Sequence, residues 1–178
     1  MSILKENRTA ICIITLTLAL TGCVSDTICP AVGPEGVKKD MLAYINFARA
    51  EGRRCGSEYY PPASDVVWND LLADVAMKHS EDMADSGFYD HTGSDGSDHS
   101  ERLADAGYKW RACGENIHWG VNSSREAVEG WLKSPGHCAN IMRSVFTEIG
   151  AGAVKGECGD CDGCYVLYWT LNLAKPLR

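Results

Sequence analysis

The segment WLKSPGHCANIM, residues 131–142, constrains the fold most, because it ends one helix and starts another within a few residues. Pro135 suits the first position of a helix, where its missing N–H would have no partner, and Ser134 before it is a common N-cap residue. We therefore predict a helix that ends near Ser134 and a second helix that begins at Pro135. This break places His137 at the third helical position, on rigid backbone and away from the packed face.

The N-terminus has the pattern of a bacterial export signal. Lys5 and Arg8 precede an apolar run from Ala10 to Leu20, which is too short for a comfortable membrane span. The run closes on LTGC, which resembles a lipoprotein cleavage box. We predict a signal peptide over residues 1–22 and a lipid, including palmitate, on Cys23, which becomes the first mature residue. The alternative is an ordinary cleaved signal with an incidental cysteine.

A proline- and glycine-rich stretch follows the signal, and we interpret residues 23–36 as a lipidated tether and residues 37–175 as the folded domain. We expect a lipoprotein of the bacterial cell envelope that contacts the membrane through Cys23. Val24 and Ser25, rather than aspartate, follow that cysteine, and this favours the outer membrane.

The charge balance argues against nucleic acid as a partner. The chain has 17 basic and 24 acidic side chains, a net charge of −7, and no basic stripe. Removal of the signal takes away more basic than acidic residues, so the mature chain is more acidic still. Such a surface repels phosphates. The length suits one domain with a substantial core, and no internal repeat is evident.

Nine cysteines are present, and export should oxidise most of them. Cys12 leaves with the signal, Cys23 carries the lipid, and an odd number remains, so three disulfides and one free thiol is the simplest count. The sequence does not give the connectivity. The disulfide candidates are Cys29, Cys55, Cys113, Cys138, Cys158, Cys161 and Cys164. The last three are evenly spaced, which is typical either of a thiolate metal or redox site or, as export favours, of a loop stapled by disulfides.

Periodicity predicts helices in the first two thirds of the chain. One helix covers residues 37–51, and a second follows Asn69 and runs to Gly87. Its inward face is predicted to hold Leu72, Val75, Ala76, His79 and Met83. A short helix is expected at 101–106 with Ser100 as its cap, and Ser123 with Glu126 forms a capping box for the helix that carries Trp131.

The last third is rich in aliphatic and aromatic residues bounded by glycine and proline. We predict two strands, from Phe146 to Val154 and from Tyr165 to Leu173, joined as a hairpin, and a short extended piece around residues 114–117. Helices early and strands late indicate an α+β sandwich rather than a doubly wound sheet.

Three titratable side chains stand beside small residues, where a ligand can approach: His91 in FYDHTG, Glu115 in CGENI and His137 in SPGH. Two imidazoles and a carboxylate are the minimum for a divalent metal with an exchangeable water, or for acid and base chemistry near neutral pH. Spacing alone does not show that they meet, because isolated histidines near glycine are commonly structural.

A family resemblance brings these residues together. The segments YINFARAE, VVWNDLLADVAMKHSEDMADSGFYDHTGSDG, RLADAGY, CGENIHWG, AVEGWLKSPGHCANIM, FTEIGAGAV and YVLYWTLNL resemble, in order, the CAP superfamily, or SCP domain, and especially its bacterial branch. That family includes cysteine-rich secretory proteins, antigen 5 and plant pathogenesis-related proteins. The resemblance implies a three-layer α-β-α sandwich with a small, mainly antiparallel sheet. It also implies a concave cleft in which His91, Glu115 and His137 converge and the histidines can bind zinc.

The second acid of the family cleft does not carry over, because Ser134 occupies its position. Glu129 is expected to be a surface residue paired with Lys133, and Glu148 is expected to start a strand and face water, so both are weak substitutes. Without a fourth group, an open cleft should bind Zn²⁺ weakly. A disulfide between Cys113 and Cys138 would brace this cleft.

For several other polar residues we expect a structural role rather than a role in binding a ligand or a metal. His79 follows an apolar helix face and is expected to be a satisfied core histidine, whereas His99 and His118 have no evident partner. Asp90, Asp95 and Asp98 lie near glycines, but the loop lacks the ligand set of an EF-hand, so turn formation is the better interpretation than calcium binding.

These observations favour a lipid-anchored extracytoplasmic binding module over an enzyme, and we expect its His/Glu cleft to take a divalent metal or a small ligand. Superfamily members have been linked to sterols, fatty acids and peptides, so a small lipid-like or peptide ligand is expected. The alternatives are a zinc-dependent hydrolase of cell-envelope material and a structural envelope protein stapled by disulfides.

Overall fold

The computed structural model describes residues 34–157 and 165–177. The predicted signal peptide, the lipidation site Cys23, Cys29 and the cysteine-rich segment 158–164 lie outside the described residues. The elements in chain order are α1 (Pro34–Ala50), β1 (Arg53–Cys55), β2 (Glu58–Tyr60), β3 (Val67–Trp68), α2 (Asp70–Ser86), α3 (His99–Asp105), β4 (Trp110–Trp119), α4 (Ser124–Lys133), α5 (Pro135–Met142), β5 (Glu148–Glu157) and β6 (Tyr165–Pro176).

The main sheet has the strand order β3-β5-β6-β4. β6 is antiparallel to both of its neighbours, and the short β3 runs parallel to β5. β6 is central, so both of its faces are covered, and the run from Trp169 to Ala174 is buried throughout. β4 lies at the edge of the sheet, where one side of a strand has no strand partner.

Helices cover both faces of this sheet. α2 packs against β5 and β6 on one face, with α3 beside β4, while α1, α4 and α5 cover the other face. The larger core cluster lies under α1, α4 and α5 and includes Trp131, Trp169 and Phe146, and smaller clusters lie under α2. This arrangement confirms the predicted three-layer α-β-α sandwich.

Two glycines in β5 let α2 lie directly on the sheet. A Cβ atom at Gly150 would be 2.1 Å from the backbone nitrogen of Ala73, and one at Gly152 would be 2.4 Å from Cα of Met77. Real Cβ atoms do not approach backbone this closely, so the GAG segment is required for the packing between helix and strand.

A buried arginine joins α1 to the segment that follows α5. The guanidinium of Arg49 is 1% exposed and donates to four backbone carbonyls, those of Ser64, Ile141, Arg143 and Phe146. Burial lowers the pKa of this arginine, although Asp65 acts in the opposite direction. Charge-assisted hydrogen bonds to four carbonyls offset the cost of burying the cation.

The structure confirms most predicted elements and shifts their ends. All five residues of the predicted inward face of α2 are buried, and the helix ends at Gly87, in the left-handed conformation with φ of 67°. α1 begins at Pro34, three residues earlier than predicted and inside the predicted tether, because proline suits the first helical turn. The β1–β2 hairpin and β3 were not predicted from the sequence, since each is only two or three residues long.

The predicted caps are partly wrong. α3 begins at His99, and Asp98, not Ser100, is its N-cap, in a capping box with Glu101. Ser123 caps α4 as predicted by accepting from the Glu126 N–H. The Glu126 carboxylate accepts from the Ser123 hydroxyl and from the N–H of Asn122, not from the Ser123 N–H that a capping box requires. Pro135 does begin α5, whereas the side chain of Ser134 makes no capping hydrogen bond.

The disulfide observed is Cys55–Cys138, which links the β1–β2 hairpin to α5 across 83 positions. The predicted Cys113–Cys138 pairing is therefore wrong. Cys113 is a half-buried free thiol with no disulfide partner within the described residues. The pairing failed because Cys138 faces the core under the hairpin, while Cys113 packs with the cluster under α2.

No helix within the described ranges is long and apolar enough to cross a membrane.

Candidate functional site

The three predicted site residues come from three separate elements. His91 lies in the loop between α2 and α3, Glu115 lies in the middle of the edge strand β4, and His137 is the third residue of α5. The outer edge of β4 is closed by side chains rather than by another strand. Asn140 donates to the carbonyl of Glu115, and Trp131 donates to that of Ile117.

Glu115 is almost fully buried, and each of its carboxylate oxygens has a partner. Nδ1 of His91 donates to Oε1 at 2.8 Å, and Nη2 of Arg102 donates to Oε2 at 2.8 Å. The side chain of Glu115 is 1% exposed, against 49% for that of His91. Glu115 therefore forms the floor of the site, and His91 is the group that solvent and ligands reach.

The imidazole rings of His91 and His137 face each other. Their centroids are 6.0 Å apart and their planes meet at 60°. Because Nδ1 of His91 is bound to Glu115, Nε2 is the nitrogen left for a ligand. The backbone of His137 is held by Asn116, whose side chain donates to the His137 carbonyl. The structure thus brings together the three residues that the sequence pattern selected.

The two rings differ in electrostatic environment. The hydrogen bond to Glu115 raises the pKa of His91, against the opposing effect of burial. Burial lowers the pKa of His137, and the charges of His91 and His118 act in the same direction. Burial pushes the pKa of Glu115 upward, but the hydrogen bond from His91 and the charge of Arg102 outweigh it, so the pKa is lowered overall. The environment therefore favours the ionised form of Glu115 and the neutral form of His137, and it makes His91 hold its proton more tightly than a free imidazole does.

His79 forms the inner wall of the site. It is buried as predicted, and its Nε2 donates to the carbonyl of Asp90 at 3.0 Å and lies 3.9 Å from Oε1 of Glu115. Its Nδ1 is buried without a hydrogen-bond partner, so the histidine is only half satisfied, contrary to expectation. Burial lowers its pKa, which keeps the ring neutral. His79 is a core histidine that also shields Glu115 from solvent.

Sequence reasoning missed two residues at the site. Arg102 contacts Glu115, but it lies in a short helix whose orientation no sequence pattern gives. His118, expected to lack a partner, donates from Nδ1 to the carbonyl of Trp119, and its ring packs where a Cβ on Gly130 would lie only 2.2 Å from Nε2. In the sequence, only the glycine at position 130 indicates that the ring of His118 packs against α4.

The other acidic candidates have structural roles. Glu129 is exposed as predicted, but its partner is Arg125, one turn earlier, rather than Lys133. Glu148 starts β5 as predicted, yet it does not simply face water, because Asn69 and Tyr108 both donate to its carboxylate. Among the residues that the structure describes, neither of these acids takes the place of Ser134.

Asp90 and Asp95 stabilise turns, as predicted, whereas Asp98 is the N-cap of α3. Asp90 accepts from the N–H of Thr92, and Asp95 accepts from the N–H of Ser97. These short-range bonds hold the loop that carries His91.

His91 and His137 are the two imidazoles that could hold a divalent ion here, with Glu115 acting only through His91. Carboxylate-bound histidines are common metal ligands, since the carboxylate fixes the ring and its tautomer. Glu115 itself has no free oxygen, and within the described ranges no group of three His, Cys, Asp or Glu side chains is arranged around one metal position. His91 and His137 would therefore hold such an ion alone, with water or a ligand completing its coordination.

Comparison with known proteins agrees with this architecture. The chain is 34% identical over 87 residues to the uncharacterized membrane protein YlbC of Bacillus subtilis, a match covering 49% of this chain and 25% of YlbC. It superposes on a crystal structure of an extracellular SCP-domain protein from Bacillus anthracis with a TM-score of 0.64 and 25% identity, over 80% of this chain and 41% of that one. An outer surface protein of Borrelia burgdorferi shares the fold, with a TM-score of 0.56, 17% identity and coverage of 79% and 96%.

The chain therefore spans a minor part of YlbC and of the Bacillus anthracis protein, which are longer. A family model described as CAP, the cysteine-rich secretory protein family, matches residues 43–173, a range that includes all three cleft residues. Order of segments, layer architecture and family match agree, and this chain belongs to the cysteine-rich secretory protein (CAP) family.

Proposed function

We propose that this protein is an exported CAP/SCP-domain binding module, anchored to the bacterial envelope by a lipid on Cys23. In this proposal the cleft between His91 and His137 binds a divalent ion such as Zn²⁺ or a small lipid-like or peptide ligand. The observation that supports it is the pair of facing imidazoles, 6.0 Å apart, with His91 oriented by a buried carboxylate.

A binding role accounts for the site better than hydrolysis does. A zinc-dependent hydrolase needs a free base beside the metal-bound water. Glu115 is nine-tenths buried, and its two oxygens accept from His91 and Arg102, so it orients a ring instead of taking a proton from water. Ser134, where the family has a second acid, supplies no replacement.

The lipid anchor and the envelope location rest on the N-terminal sequence. Export, but not the anchor, is supported by the description of the Bacillus anthracis neighbour as an extracellular protein. Metabolic labelling of the expressed full chain with a radioactive fatty acid tests the anchor. Label that survives denaturation and disappears in Cys23→Ser supports it, and equal labelling of the two proteins contradicts it.

Calorimetric titration of Zn²⁺ into the mature domain tests the cleft. We expect one weak site in the wild type, with loss of binding in both His91→Ala and His137→Ala. The matched control is His99→Ala, which removes a histidine from the start of α3 without touching either cleft ring. Equal heats for the wild type and His137→Ala would remove metal binding from the proposal.

Small ligands require a separate readout. Nuclear magnetic resonance spectra of the histidine side chains, recorded with a fatty acid or a short peptide, report contact at His91 and His137 directly. Shifts confined to these two rings support the cleft as the ligand site. Shifts elsewhere, with the two rings unchanged, would assign the ligand to another surface.

A further inference from the structure

We propose that Arg102 is the positioning residue of the cleft, which holds His91 opposite His137. The guanidinium holds His91 in two ways, through the ring and through the backbone. Nη2 donates to Oε2 of Glu115, the carboxylate that orients the ring, and also to the backbone carbonyl of His91 at 3.0 Å. The test of this inference by Zn²⁺ affinity rests on the proposed function. Its tests by the His91 resonances and by amide exchange do not.

Arg102 also ties down the far end of the loop that carries His91. Its Nη1 donates to the carbonyl of Ser97 at 2.8 Å. One planar group therefore joins two points of the 91–97 loop to β4. Because Arg presents its donors in a rigid fork, the three acceptors fix one another's positions.

The helix that carries Arg102 is itself well fixed. Arg102 stands in α3, whose N-terminus is closed by the reciprocal capping box of Asp98 and Glu101. Because the cap fixes the first turn of α3, it also fixes the position of Arg102 relative to β4. The loop before α3 is also attached to α2, since the Asp82 carboxylate accepts from the N–H and the hydroxyl of Ser94. Arg102 is therefore the group that attaches the loop to β4.

The pair of Arg102 and Glu115 is buried, which makes its loss consequential. The two side chains are 13% and 1% exposed. Removal of one partner from a buried pair leaves an uncompensated charge, which proteins relieve by local rearrangement or protonation. Here the adjustable parts are the Glu115 rotamer and the 91–97 loop, and both determine where His91 points.

His79 does not replace Arg102 in this role. It lies 3.9 Å from Glu115, beyond a hydrogen bond, and its Nε2 is already committed to the carbonyl of Asp90. Without Arg102, Glu115 would keep only the hydrogen bond from His91, the residue whose position is in question.

Arg102→Met and Arg102→Lys in the mature domain test this inference, with Arg125→Met as the matched control. Arg125 binds Glu129 at the same 2.8 Å, but that pair is exposed and remote from the three acceptors of Arg102. The readouts are the ¹⁵N and ¹H resonances of the His91 ring, amide hydrogen exchange over residues 91–97, and Zn²⁺ affinity.

For Arg102→Met we expect loss of the hydrogen-bonded Nδ1–H signal of His91, faster amide exchange in the loop, and Zn²⁺ binding weaker by about tenfold or more. Arg102→Lys should recover these properties only in part, because a single ammonium does not replace the fork. Arg125→Met should match the wild type in all three.

If Arg102→Met does not fold, the double variant Arg102→Met with Glu115→Gln removes the uncompensated charge and permits the same measurements. It should fold yet keep the fast exchange of the loop. Wild-type His91 resonances and loop exchange in Arg102→Met would overturn the inference, as would loop exchange in the double variant no faster than in Glu115→Gln alone. Absence of Zn²⁺ binding in the wild type would count against the proposed function alone, since the resonances and the exchange rates need no metal.

Discussion

The imidazole ring of His137 lies opposite that of His91, with 6.0 Å between centroids, although the two residues belong to elements on different faces of the sheet. His137 starts α5, whereas His91 follows α2. The edge strand β4 lies between these elements and provides Glu115, which binds His91. The candidate site at the edge of the sheet is thus built from both helical layers, and its chemistry depends on how the layers are held together.

The affinity of the cleft for Zn²⁺ should fall as the pH is lowered through the pKa of His91. A ring must be neutral to bind a metal, and the hydrogen bond to Glu115 raises this pKa above the ordinary value of about 6.5. Proton competition should therefore begin above pH 6.5 and reach about tenfold per pH unit below the pKa. Calorimetric titrations across this range measure it.

Glu115→Gln provides the comparison for that experiment. With the charge of the partner removed, the pKa of His91 should fall, and the loss of metal affinity should move to lower pH. An unchanged pH profile in this variant would show that Glu115 does not control the protonation of His91.

Gly152→Ala should destabilise the domain strongly. The added Cβ would lie 2.4 Å from Cα of Met77, so α2 would have to move off the sheet. We expect a loss of about 3 kcal/mol or more, at the upper end of overpacking effects, measured by urea unfolding. Gly136→Ala in α5 is the control, because its Cβ would meet no atom within 4 Å, and it should be neutral or slightly stabilising.

Arg49→Met should reduce the free energy of unfolding by about 3–5 kcal/mol. The substitution roughly preserves length but leaves the carbonyls of Ser64, Ile141, Arg143 and Phe146 without their donor. Urea unfolding measures the loss, and Arg125→Met on the surface should change stability by no more than about 0.5 kcal/mol. Similar values for the two variants would mean that water satisfies the four carbonyls.

The Cys55–Cys138 disulfide should stabilise the domain, and the Cys113 thiol should react slowly. Loss of Cys55–Cys138 in the double serine variant should cost about 2–5 kcal/mol, since the bond closes a loop of 83 positions. Burial, helped by Asp98 and Glu115, raises the pKa of the Cys113 thiol to about 11. Its alkylation at pH 7.4 should be slower than that of a free cysteine by at least about tenfold.

Peptide mapping without reduction checks that Cys55 pairs with Cys138 and that the Cys113 thiol is alkylated slowly. A peptide that links Cys55 to Cys138, together with an unmodified Cys113 after brief alkylation, is the expected result. A bridge from Cys113 to any other cysteine would contradict the assignment.

Local sequence patterns anticipated those features that depend on short-range physics. The apolar face of α2, the Gly87 stop and the Pro135 start are each set by a few neighbouring residues, and the structure agrees with them. The capping box of α3 also has a local signature, Asp98 followed by Glu101, which identifies the cap better than Ser100 does. The meeting of His91, Glu115 and His137 was expected only because the ordered segments resemble a known family.

By itself the sequence determined the helical faces, the helix break at Pro135 and the residue types available to the cleft, because these follow from side-chain periodicity and backbone preference within a few residues. Only the tertiary structure decided that Cys55 pairs with Cys138, that Arg102 binds Glu115, and that Gly150 and Gly152 let α2 lie on β5. Each of these relationships joins residues distant in the chain. Their geometry depends on how whole layers pack, which no short stretch of sequence encodes.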